Sequence, residues 1–358
     1  MSSTSRVLFV PVSGPTGSGE VERCRVLAAG LSEEDPEIVS AFVLSREAPL
    51  AADPFVAFRT AKSPTFCTAE MHAIVDRFRP DVVVFDNAGR TAQLRHARAR
   101  SARVVFVSRT PEKRAKAFRP QWLSALSEHW VLFAGSGGLR LTRAERLANR
   151  WFGPVTVRSF GALFRPSAAA EREQVLQRHD LTRGGYVLYT LGGGPAATAA
   201  ASVFVEAARR VGAAGGIRHV VLSGRGDGVT NRPAPWIEEL PRVPADQVTC
   251  LIHDAAAVVS NGGSTMFQVL AHDRPAIAIP VRDDQHLRVR THAAAGTVVA
   301  AELDPDGLAA KVLRLLGDPE EVERLRRARE RHPVRNGFEE AIAALVVLAR
   351  SPHESARD

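Results

Sequence analysis

A chain of 358 residues, 45% of them hydrophobic, can bury substantial cores, and its length is typical of two domains. Its formal charge of +8 admits a polyanion, an anionic membrane surface or an acidic substrate as partner. Lysine, however, stands only at 62, 113, 116 and 311, and arginine supplies the rest of the 47 basic residues, a bias that also accompanies GC-rich coding. Three scattered cysteines, Cys24, Cys67 and Cys250, suit neither a disulfide framework nor a zinc site and point to a reducing cytoplasm, and no apolar stretch approaches the roughly 20 residues that span a bilayer.

The opening MSSTSRVLFVPVSG is read as a first strand over 7–12, not as a leader. It runs into SGPTGSGEVERCRVLAAGL, a glycine-rich loop opening a helix on which Val21, Cys24, Leu27, Ala28 and Leu31 keep helical spacing. Strand-like runs follow at 37–44, 81–85, 104–107 and 130–133, separated by helix-length segments, the mark of an α/β fold with a mostly parallel sheet. Asp86, closing the run in DVVVFDNAGR, is either a turn-former before Gly89 or a residue facing a ligand at a strand's carboxyl end. Residues 95–119 carry nine basic residues and one acid, Glu112, with Phe118 and Trp122 at the end. They read as a solvated basic surface, or as a contact for a membrane or an anionic acceptor. No zinc-finger, RNP or other nucleic-acid signature is present.

GALFRPSAAAERE reads as a linker, which sets domains at 1–163 and 164–335, with 336–358 a closing helix and tail expected to pack back toward the first domain. The second half repeats the pattern, with strands expected at 186–191, 219–222, 248–252, 255–260 and 276–280. The closing helix, 337–350, has an apolar face of Ile342, Leu345, Val346 and Leu348.

Ligands of open α/β sheets bind beyond the carboxyl ends of the strands. Three segments of the second domain lie there: Gly192, Gly193 and Gly194; Asn261, Gly262, Gly263, Ser264 and Thr265; and VRDDQHLR, with Asp284 and Gln285. Glycines let backbone N–H groups approach a ligand, and a helix N-terminus adds unpaired N–H groups and a positive dipole, so the chemistry indicated is anion binding. Ser264 and Thr265 are expected to cap the helix and reach a phosphate, Gln268 one turn deeper to reach ribose hydroxyls, and Asp284 and Gln285 to meet a sugar. Alternatively the glycines only form a tight turn. Arg225 in LSGRGDG is a candidate diphosphate contact or a surface turn, and Arg109, after a strand, a candidate for an anionic acceptor. His253 with Asp254 and His286 with His292 lack a metal-ligand spacing, and there is no G-x-x-x-x-G-K-[ST] of an ATPase.

The segment AAAVVSNGGSTMFQVLAHDRPAIAIPVRDDQHLRVRTHAAAG resembles the nucleotide-sugar-binding half of GT-B fold glycosyltransferases, above all the group of the peptidoglycan N-acetylglucosaminyltransferase and related predicted bacterial enzymes. The match covers about 185–302. The resemblance implies two Rossmann-like domains facing across a cleft, an acceptor in the first and a nucleotide-diphosphate sugar in the second. It further implies an inverting, metal-independent hexosyl transfer without a cofactor. UDP is the default nucleotide. Relatives carry a glutamate where this chain has Gln268, which opens a deoxythymidine donor as the alternative. In the first domain the relatives' G-x-G-H-x-x-R becomes G-S-G-E-V-E-R, which keeps Gly17, Gly19 and Arg23 and puts Glu20 where a histidine base stands. Glu20 is therefore the first candidate base and Asp86 the second; Glu20 is otherwise a first-turn acid favouring the helix dipole. A hydrolase or epimerase of the same fold, or a noncatalytic nucleotide-sugar binder, remains open. The acceptor is a small or lipid-linked molecule, not nucleic acid. The expected location is cytoplasmic, with peripheral contact at the inner membrane face, in natural-product or envelope biosynthesis.

Overall fold

The computed structural model describes residues 4–13, 19–48, 54–132, 139–190, 195–223, 234–241 and 243–351, with backbone alone for 195–200. The chain divides into two compact units, Met1–Phe164 with Gly337–Asp358, and Arg165–Asn336.

The first unit holds a parallel sheet of β1 (Ser5–Pro11), β2 (Ile38–Ser45), β3 (Val56–Thr60), β4 (Val82–Asp86), β5 (Arg103–Ser108), β6 (Glu128–Leu132) and β7 (Thr156–Phe160), in the order β3-β2-β1-β4-β5-β6-β7. Alternate residues of each central strand feed two different cores. Val7, Phe9, Val82 and Val84 pack with Leu27 and Leu31 of the helix Gly19–Glu34 and with Phe338, Ile342 and Leu345 of the closing helix Phe338–Arg350. Leu8, Val10, Val83 and Phe85 face Met71, Leu94, Phe118 and Trp122 on the other side. Burial on both faces explains why these strands read as unbroken apolar runs.

The second unit holds β8 (Tyr186–Thr190), β9 (Arg218–Leu222), β10 (Ile237–Leu240), β11 (Ala257–Asn261), β12 (Ala276–Ile279) and β13 (Val299–Ala300), again parallel, in the order β10-β9-β8-β11-β12-β13. In each sheet the strand order reverses once among the described strands, between β1 and β4 and between β8 and β11. A doubly wound sheet opens its ligand crevice at such a switch point.

The structure corrects the expected elements in two ways. Residues 248–252, read as a strand, lie in the helix Ala245–Asp254. A short apolar run carries no period of its own, and the inward packing of Cys250, Leu251 and Ile252 decides the matter. The strands left unread, β3, β7, β10 and β13, are the four sheet edges. Their residues are half-exposed and mixed in polarity, so the apolar signal of the central strands is missing.

The basic run at 95–119 is likewise not one surface. Arg103 donates to the Leu348 carbonyl at 2.9 Å, Arg100 pairs with Asp76 at 2.7 Å, and Arg114 makes two hydrogen bonds to Glu145 at 2.9 and 2.7 Å. Arg109 and Lys113 turn to the switch point.

Candidate active site

In the first unit the end of β1 leads to the helix Gly19–Glu34, whose first turn carries Glu20 and Arg23, three residues apart and so on one face. Across the switch point, Asp86 is the last residue of β4. Arg23 grips it with two hydrogen bonds of 2.8 Å each, and the two side chains are only 5% and 1% exposed. Burial pushes the Asp86 carboxyl above its ordinary value, and the charge and hydrogen bonds of Arg23 oppose that rise. Asp86, expected as the second candidate base, has both oxygens on Arg23 and anchors it, since an uncompensated guanidinium at this depth would be costly.

Glu20 sits nearer the surface in the same cluster. Arg109, the residue after β5, brings Nη2 to 3.3 Å from Glu20 Oε1, and Asn87 donates from Nδ2 to the same oxygen at 3.4 Å. Burial works against the Glu20 charge, but Arg109 and Arg23 outweigh it, and its pKa lies below the ordinary value of 4.5. Lys113 donates to the Asn87 carbonyl at 3.1 Å. The loop beyond β4 is held open by backbone geometry: Asn87 has φ 55°, and Gly89 has φ +97° with Leu94 and Phe85 so close that a side chain would not fit. The structure thus gathers Glu20, Arg23, Asp86 and Arg109 at one sheet edge, with Gly19 opening the helix; Gly17 lies outside the described residues. Asn87 and Lys113 were not singled out from sequence. The Asp-Asn pair after a strand was the only signal for the first, and the second was hidden in a basic run.

In the second unit Gly192, Gly193, Gly194 and Arg225 lie outside the described residues. The diglycine turn follows β11 at the switch point. Gly263 is the N-cap of the helix Ser264–Ala271, and its N–H donates to Asn261 Oδ1 at 3.0 Å. Ser264 and Thr265 therefore do not cap the helix, as expected from sequence, but form its first turn, with Ser264 exposed. A Cβ on Gly262 would meet Val289 Cγ2 at 2.5 Å and Gln285 Cβ at 3.1 Å, so the helix Asp283–Ala294 lies directly against the turn.

That helix braces the turn. Gln285 is 4% exposed, and its Oε1 accepts from Val281 N at 2.9 Å. Arg288 donates from Nη1 to the Gly262 carbonyl at 2.8 Å and pairs with Asp284, which also meets Arg282 at 3.3 Å. Gln285, expected as a sugar contact, is thus a buried support of the turn, while Asp284 keeps an arginine in place. Gln268, expected to reach ribose hydroxyls, donates from Nε2 to Thr249 Oγ1 at 2.7 Å, which ties its amide nitrogen to the helix Ala245–Asp254. Arg288 was missed, although its four-residue spacing from Asp284 was visible. No cluster of metal-ligating side chains occurs among the described residues.

Gly262→Ala is expected to lower stability by about 1–3 kcal/mol through overpacking against Val289, seen as a lower urea midpoint. An unchanged midpoint would mean that the helix yields to the added methyl group.

A pair of doubly wound parallel-sheet units of this kind is the GT-B fold. No family profile and no curated protein sequence matches the chain. Solved structures do. The glycosyltransferase SnogD from Streptomyces nogalater is 17% identical with a TM-score of 0.65, over 96% of this chain and 100% of that one. Phytolacca americana UGT2, solved with UDP-2-fluoro-glucose and pterostilbene, is 11% identical with a TM-score of 0.60, over 91% and 94%. A Listeria monocytogenes protein assigned as a UDP-N-acetylglucosamine 2-epimerase is 13% identical with a TM-score of 0.57, over 97% and 96%. At these identities the likeness establishes the fold, and the chemistry has to be argued from the site.

Proposed function

We propose that the chain is a glycosyltransferase that moves a hexosyl group from a nucleotide-diphosphate sugar to an acceptor hydroxyl, with inversion and without a metal ion. The observation that carries the reading is the diglycine turn Gly262–Gly263, braced by Gln285 and Arg288 where the second sheet reverses its strand order. From Ser264 onward the first amides of the helix have no acceptor in a preceding turn, which suits a diphosphate. The first unit supplies the base. Glu20 takes the proton of the acceptor hydroxyl as the oxygen forms its bond to the anomeric carbon. The bond from that carbon to the diphosphate oxygen breaks, and its electron pair leaves on the nucleoside diphosphate.

UDP is the first donor nucleotide to test and deoxythymidine diphosphate the second, since Gln268 is already engaged with Thr249. A nucleotide at about a hundred times its Kd should stabilise the protein by roughly 2.7 kcal/mol, a rise of several degrees in Tm that EDTA leaves intact. No rise with any nucleoside diphosphate would overturn the donor site. Release of free sugar with no acceptor present would move the reading to a hydrolase of the same fold.

A further inference from the structure

The helix Arg143–Phe152 buries none of its residues, and it exposes Leu147 by 58%, Trp151 by 74% and Phe152 by 49%. Leu147 and Trp151 are four residues apart and share one face. Arg143 and Arg150, four residues before and three after Leu147, border that face along one edge, and Arg146 lies beyond them. The helix is held firmly by its other side. Thr142 and Glu145 form a capping box, Glu145 is bound by Arg114, Asn149 exchanges two 3.0 Å hydrogen bonds with the Val155 backbone, and Ala148 packs on the core. The unit therefore presents Leu147 and Trp151 outward on a fixed support. Arg143 and Arg150 make no ion pair among the described residues, and Arg146 donates to the Leu141 carbonyl at 2.6 Å.

Exposed large apolar side chains on one face mark an interaction surface. A tryptophan and a leucine bordered by arginines, with the one acid of the helix turned away to Arg114, are complementary to a surface that is apolar beneath and anionic above. A helix of ten residues is too short to span a bilayer and suits the interface plane. We propose that this helix docks the protein on an anionic lipid surface, with Leu147 and Trp151 entering the headgroup boundary and Arg143, Arg146 and Arg150 pairing with lipid phosphates. The basic run at 95–119 is not the contact, since its arginines are largely committed inside the unit.

The test is co-sedimentation of the full chain with vesicles of phosphatidylcholine, and of phosphatidylcholine mixed with phosphatidylglycerol. Binding is expected to the anionic vesicles, falling as salt rises. Arg143→Gln with Arg150→Gln should weaken it about 30-fold, from about 5-fold per arginine. Leu147→Glu with Trp151→Glu should abolish it with the melting temperature unchanged. Trp122 and Trp130 are fully buried and Trp236 is packed against the core of the second unit, so a blue shift of emission on vesicle binding should disappear in Trp151→Phe while sedimentation persists. The proposal is overturned if anionic vesicles do not bind the protein at low salt, or if either double variant binds them as the parent does. It is overturned equally if light scattering shows a dimer that Leu147→Glu with Trp151→Glu dissolves and no vesicle binding, which would assign the face to a second copy of the chain.

Discussion

Glu20→Gln is expected to lower the turnover number for sugar transfer by about 10²- to 10⁴-fold, the usual contribution of a positioned general base. It should leave the nucleotide-induced rise in melting temperature unchanged. The amide keeps the volume of the carboxylate and its contact with Asn87 and Arg109, so a loss of activity would report the missing base and not a disturbed fold. The pH profile gives a second readout. The pKa of Glu20 is depressed below 4.5, first against burial and then by Arg109 and Arg23, so the carboxylate stays ionised through the neutral range. The acid limb of kcat/KM should therefore fall below the ordinary glutamate value and vanish in the variant. The same shift is linked to stability. A depressed folded-state pKa contributes stability that is present above the unfolded-state value and lost as pH falls through the folded one. Unchanged turnover in Glu20→Gln would remove this residue from the mechanism.

The second large effect lies one layer deeper. Asp86→Asn leaves the Arg23 guanidinium, 5% exposed, without its counter-charge, and should cost about 3–5 kcal/mol. That corresponds to a fall in melting temperature on the order of 10 °C. Replacing both partners, Arg23→Met with Asp86→Leu, removes the uncompensated charge and should recover much of the loss, because a buried pair adds little over apolar side chains of similar size. Urea unfolding of the two variants separates the cases: equal loss in single and double variants would mean that the pair contributes through packing alone. Cys24 rests on the same cluster, its thiol 3.7 Å from Asp86 Oδ2 and its pKa pushed up by burial, so it is a filler and not a nucleophile.

What the sequence determined by itself was set by strong periodic signals. The central strands of both sheets are buried on two faces and read as apolar runs. The glycine-rich loops mark strand-to-helix junctions at carboxyl edges, and the helix Gly19–Glu34 shows its buried positions Val21, Cys24, Leu27 and Leu31 by spacing alone. These features sufficed for the α/β class, the GT-B resemblance and the gathering of Glu20, Arg23 and Asp86 near one edge. The tertiary structure decided the rest, because roles within a site depend on which partner arrives from elsewhere in the chain. Nothing local says that Arg23 will take Asp86, 63 residues away, and that Glu20 will meet Arg109 and Asn87 instead. Nor does local sequence show that Gln268 will bond Thr249, 19 residues back, or that Arg288 will reach the Gly262 carbonyl. Edge strands and the helix at 245–254 escaped for a related reason: their conformation follows from neighbours on one side only, and propensity yields to that packing.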